Sequence, residues 1–178
     1  MEKKYRLTDE IIEFCGFELH RIESLKDFGH IKKGDKGGFV QSENNLSHDG
    51  DCWIFGDAYV YGNANVFDNA NVCGSVKVCG DTKVYDNAKV CGNIKVCGGT
   101  TIRGFAKVSS HSDYIVFKNW WSSGRYFTWT RSDNMWSAGC FYGTGKELIE
   151  KAYKDSELSG REYKRIVDYV ESILRDEK

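Results

Sequence analysis

Proline is absent from this 178-residue chain. That excludes the proline-rich linkers and semi-rigid spacers of many modular proteins. No apolar run approaches the ~20 residues that cross a bilayer, so no membrane segment is expected. The N-terminus, MEKKYRLTDE, has lysines but no apolar stretch, so it does not read as a secretory signal. A surplus of one charge is missing too, since 25 Lys and Arg stand against 26 Asp and Glu. That balance excludes electrostatically driven binding of bulk nucleic acid. Seven cysteines is an odd number for the disulfide framework of a secreted domain. The expected setting is cytoplasmic, with reduced thiols.

What is present is a repeat. From Asp51 to Ser110 the chain reads as uninterrupted hexads: DCWIFG, DAYVYG, NANVFD, NANVCG, SVKVCG, DTKVYD, NAKVCG, NIKVCG, GTTIRG, FAKVSS. The fourth position is always Val or Ile, from Ile54 to Val108, and the second is small or aliphatic. These positions are two apart, so a strand turns both to one face. Gly or Asp followed by Asn or Asp supplies a turn between strands. Such a strand cannot bury its apolar face alone, so the repeats must stack. Two earlier hexads, GGFVQS and ENNLSH, carry Val40 and Leu46 in phase before Asp49 and Gly50 shift the frame by two. Three hexads make an 18-residue coil. Twelve make four coils, about 19 Å long at ~4.8 Å per coil.

This pattern resembles the hexapeptide-repeat, left-handed parallel β-helix family. The stretch GGFVQSENNLSHDGDCWI resembles the start of such a helix in a bacterial and phage subgroup of unassigned activity. The resemblance covers about residues 5–110. It implies a mainly β fold, a left-handed parallel β-helix of about four coils, and a homo-oligomer, most often a trimer. It does not fix function, because the same coil serves acyltransferases, carbonic anhydrases and non-catalytic scaffolds.

The third and fifth hexad positions face out. Sorted at 18-residue spacing, one outward column reads Phe55, Cys73, Cys91, Ser109. A second reads Tyr61, Cys79, Cys97, and a third Phe67, Tyr85, Arg103. Cysteine favours burial, so these columns are expected to be covered by a neighbouring subunit or by the C-terminal segment. A zinc site is disfavoured, because the two cysteine pairs fall on different faces and no histidine lies in the hexads. Lys77, Lys83, Lys89, Lys95 and Lys107 read as a solvated face.

Residues 1–36 are expected to form a cap on the first coil, with YRL and ELHRIESLKDF as short strands and Gly34, Gly37 and Gly38 as the opening turn. The β-helix proper is assigned to 37–110. Residues 111–178 are assigned to a small aromatic-rich α+β module. Its strands are YIVFKNWW, RYFTWTR and MWSAGCFY, followed by helices opening at Thr144-x-x-Glu147 and Ser159-x-x-Glu162. Ten aromatics between 111 and 144 exceed the needs of one buried face, so some are expected on the other face or in a pocket, the alternative being a plain hydrophobic core with one or two interface Trp. Strand alternation sets Arg125, Phe127, Trp129 and Arg131 in one row. With Trp120, Trp121 and Trp136 they are the candidate ligand contacts.

The functional expectation is a non-catalytic binding protein that sequesters a small nucleotide-like ligand or docks a protein partner, with no cofactor. One alternative is an acyl-CoA-dependent acyltransferase, for which His111 is the plausible base and His48 the other histidine near the repeat. The other is a purely structural scaffold.

Overall fold

A computed structural model describes residues 2–176. Each hexad contributes one two-residue strand. These strands, β4 to β13, are Trp53–Ile54, Tyr59–Val60, Asn65–Val66, Asn71–Val72, Lys77–Val78, Lys83–Val84, Lys89–Val90, Lys95–Val96, Thr101–Ile102 and Lys107–Val108. Every third strand pairs in parallel, so Ile54, Val72, Val90 and Val108 stack one above another. The fourth-position Val and Ile side chains are at most 1% exposed. Ala58, Ala64, Ala70, Ala88 and Ala106 share that core. The result is a β-solenoid of about four turns with three faces.

The two-residue frame shift is visible in the register. Val40 pairs with Val60 and Leu46 with Val66, each twenty residues apart, whereas later partners are eighteen apart. The extra residues displace the backbone at Asp49 and Gly50. Lys4 reaches into the gap. Its ammonium is buried and donates to the carbonyls of Asp49, Gly50 and Cys52 at 3.4, 3.1 and 2.9 Å.

The N-terminal segment is a long hairpin, β1 (Tyr5–Phe14) and β2 (Phe17–Ser24), antiparallel to each other. Through β3 (Lys36–Val40) it joins the first solenoid face, in the order β1-β2-β3-β5-β8-β11. Gly37 and Gly38 lie inside β3 rather than in the expected opening turn. A side chain at Gly37 would strike the Ile22 side chain and the Ile54 carbonyl, both at 2.6 Å. Leu19, Phe39, Tyr61 and Cys79 form a small cluster under the hairpin, with Phe14 and Phe17 against it. Trp53, expected to face outward, is 1% exposed because Phe28 and Tyr5 pack on its ring.

Four strands, not three, follow the solenoid: β14 (Tyr114–Lys118), β15 (Tyr126–Thr130), β16 (Met135–Ala138) and β17 (Phe141–Gly143). They form an antiparallel meander. One face of β15 meets the last coil, where the Thr101 amide donates to Thr128 Oγ1 at 3.0 Å. Nearby, the Lys107 amide donates to Ser132 Oγ at 2.7 Å and Tyr114 Oη to the Lys95 carbonyl at 3.4 Å. Side chains thus satisfy edge groups that a further coil would otherwise bind. The opposite face of the sheet receives α1 (Gly145–Asp155) and α2 (Glu157–Asp176). Thr144 and Glu147 form the expected capping box on α1. The second helix opens two residues before Ser159. Ser156 accepts from the Ser159 amide, so it performs the capping that Ser159 was expected to perform.

Candidate functional site

The structure separates the seven aromatic and arginine candidates into three groups. Phe127, Trp129 and Trp136 are at most 2% exposed, packed with Leu148, Val167 and Val170 of the helices. They are core residues, and the expectation that they form a binding surface is corrected. Alternation put Phe127 and Trp129 on one side of the strand, but that side is covered by two amphipathic helices. Trp129 keeps its indole N–H satisfied by Asn134 at 2.8 Å.

Trp121 and Arg131 are supporting residues. Trp121 packs edge-on against Tyr163 and Phe127, with ring centroids 5.0 and 6.1 Å away. Arg131 donates from Nε to the Ser112 carbonyl at 2.8 Å, and its guanidinium lies 5.7 Å from the Trp129 ring. It ties the sheet to the turn at His111–Asp113 that leaves the solenoid.

Arg125 and Trp120 remain accessible. Trp120 is 72% exposed and touches Trp121 edge-on. Arg125 lies just before β15 and lines two cavities. The first, about 380 Å³, lies between the sheet and the start of α2, among Asn119, Ser122, Ser156, Ser159 and Tyr163. The second, about 520 Å³, lies where the end module overhangs the third solenoid face. There Lys83, Tyr85 and Thr101 of the coils meet Tyr126, Gly139 and Cys140 of the module. Among the described residues Arg125 and Lys83 make no ion pair. With Asp81 as the one acid lining it, this cleft carries a net positive charge. Tyr126 is about half exposed and packs on the glycine corner at Gly99.

This junction is held by a polar cluster. Arg103 pairs with Asp86 at 3.1 Å and lies over the rings of Tyr85 and Tyr142, at 4.7 and 4.8 Å. Tyr142 Oη donates to Asp133 at 2.9 Å. Burial first, and then that carboxylate, push the phenol up to about 12. Gly104, at φ +66°, leaves room for Tyr142, because a Cβ there would collide with the phenol oxygen.

The histidines are placed away from this cleft. His48 stacks on Tyr5 with centroids 4.3 Å apart, and its Nδ1 accepts from the Lys4 amide at 3.2 Å. His111 is exposed in the turn that follows the last coil. No cluster of three or more metal-ligating side chains occurs among the described residues.

The cysteine columns pair along the stack. Cys73 bonds to Cys91 and Cys79 to Cys97, each pair one coil apart with Cα atoms at 4.6 and 4.7 Å. Parallel stacking at 18-residue spacing brings these outward cysteines into bonding contact, a pairing that the expectation of reduced thiols did not include. Free cysteines are Cys15, Cys52 and Cys140. Lys83, Lys89, Lys95 and Lys107 are exposed as expected, while Lys77 is partly covered by the Phe14 ring at 5.5 Å.

No family model matches the chain. It is 33% identical over 61 residues to a protein of Escherichia coli (strain K12) described as "Uncharacterized acetyltransferase YdcK". That match spans 30% of this chain and 19% of that protein. The chain therefore covers about a fifth of the curated relative. The likeness and the solenoid together fit a hexapeptide-repeat protein.

Proposed function

We propose that this chain is a non-catalytic binding protein, and that the cleft beneath the end module takes a small anionic ligand with a flat ring, of nucleotide type. The observation that carries this reading is Arg125. It is an accessible guanidinium, unpaired among the described residues, shared by two cavities and flanked by Lys83, Tyr85 and Tyr126. Guanidinium supplies bidentate recognition of phosphate, and phenol rings supply a stacking surface. Calorimetric titration with purine and pyrimidine nucleoside phosphates tests the reading. Arg125→Ala is expected to weaken binding by roughly tenfold or more, the loss of one charge-assisted contact. Thermal stability should stay within about 0.5 kcal/mol, as for an exposed substitution. Absence of binding by the unaltered protein at millimolar nucleotide removes the proposal.

The proposal includes a homotrimer whose contact uses the solenoid face of β4, β7, β10 and β13, where the Cys73–Cys91 pair and Phe55 lie outward. Sedimentation velocity decides it, and a monomer at high concentration overturns it.

A second reading, acyl transfer from acyl-CoA, is favoured by the likeness to the acetyltransferase-named protein. It needs a base at a cleft, and His111 is the accessible candidate. Chromatographic detection of free CoA formed from acetyl-CoA with a panel of amines distinguishes the readings. Turnover that His111→Ala abolishes would replace binding as the function.

A further inference from the structure

The tip of the β1–β2 hairpin is a two-residue turn, Cys15–Gly16. Both residues occupy the left-handed region, at φ +51° and +80°. Such turns favour Asn or Asp before glycine, and other side chains are strained there. Cys15 is exposed, so packing of the hairpin does not call for it. Its neighbours clamp the tip in place. Phe14 meets Tyr59 and Tyr61 edge-on, at 5.0 and 5.8 Å, and Phe17 lies 5.4 Å from Tyr61. This fixes the turn against the first solenoid face, in the column that continues upward as Cys79 and Cys97. Cys15, Tyr61 and Cys79 line one cavity of about 580 Å³. Cys97 is half-buried against the same cluster as Cys79.

We propose that Cys15, Cys79 and Cys97 form a thiol–disulfide exchange site, with Cys15 as the incoming thiol. The Cys15 sulfur, as thiolate, attacks the Cys79 sulfur. The Cys79–Cys97 bond breaks, a Cys15–Cys79 bond forms, and Cys97 leaves as a thiolate. The proton released by Cys15 is regained at Cys97. No electrons are gained or lost, so no outside oxidant or reductant takes part. The exchange replaces a staple between two coils by a tether between hairpin and solenoid. The left-handed Cys15–Gly16 turn places Cys15 among the residues that line the cavity with Cys79. The Cys73–Cys91 pair is the internal control. The other free cysteines are elsewhere, Cys52 buried against Lys4 and Cys140 in the Arg125 cleft.

Disulfide mapping tests the site. The whole chain is equilibrated in a glutathione redox buffer, quenched in acid, alkylated, and digested without reduction for mass spectrometry. A Cys15–Cys79 linkage with alkylated Cys97 is expected beside the Cys79–Cys97 linkage, while Cys73–Cys91 has no alternative partner. In Cys97→Ser the Cys15–Cys79 linkage should dominate. Recovery of Cys15 only as alkylated or glutathionylated peptide, in the unaltered chain and in Cys97→Ser, overturns the proposal. If circular dichroism shows Cys97→Ser unfolded, the unaltered chain alone decides.

Discussion

Single side chains close the ends of the coil stack. Lys4 is the clearest case, a buried ammonium that satisfies three carbonyls left open by the two-residue insertion. Its charge is compensated by those oxygens and by the Cys52 sulfur at 3.2 Å. Burial holds the Cys52 thiol above its ordinary range, against the pull of the ammonium. Lys4→Met removes the donor and leaves the acceptors buried, a loss of about 1–3 kcal/mol. Urea denaturation should show a lower midpoint with little change in slope. Val78 is the interior counterpart. It is fully buried between Val60 and Val96. Val78→Asp places an unpaired charge between stacked coils where neither end can fray. The expected result is loss of the cooperative thermal transition. A melting temperature near that of the unaltered chain would mean that the fourth hexad position does not face inward.

At the scale of elements, α1 gives a test in acid. Hydrogen bonds from the Thr144 amide and hydroxyl hold the Glu147 carboxyl below its ordinary range. A lowered folded value stabilises the helix above the unfolded value near 4.5. That stabilisation is lost as pH falls through the folded value. Glu147→Gln should therefore flatten the melting profile between about pH 5 and 3. Thr144→Ala should lower stability by about 1 kcal/mol at neutral pH, as loss of an N-cap does. The inward face of the hexads was legible because each carries its own turn and core residue, and stacking changes neither, whereas Trp53 at an outward position is covered by Phe28 and Tyr5. The end module was only half legible. Alternation put Phe127 and Trp129 together, yet residue type could not tell which face is wet, since the last coil covers one side and the helices the other. Arg125 escaped the core only because it precedes β15. For the cysteines the spacing was readable, but their pairing depends on how closely coils approach, which no single hexad encodes. Ser159-x-x-Glu162 matched a capping pattern, but it is Ser156, three residues earlier, that accepts from the Ser159 amide at the start of α2.

At the scale of the molecule, the two ends are sealed by unrelated devices, a hairpin with its buried lysine below and a sheet with two helices above. A chain ending at Ser110 would leave the Thr101 and Lys107 amides and the last layer of core open. Exposed parallel edges recruit other edges. Size-exclusion chromatography of the 1–110 fragment should show high-mass assemblies, and a well-behaved small species would show that the end module is dispensable for sealing.

The uniform eighteen-residue register from Trp53 to Val108 also makes the molecule an angular gauge. Removing one hexad would shorten the stack by a third of a coil and swing the end module about a third of a turn around the axis, relative to the hairpin. Removing three would restore the orientation and cost only height. The azimuth at which Arg125 overhangs the coils is thus set by hexad count alone, so one six-residue insertion or deletion would re-aim the cleft at a different column of side chains without touching either end.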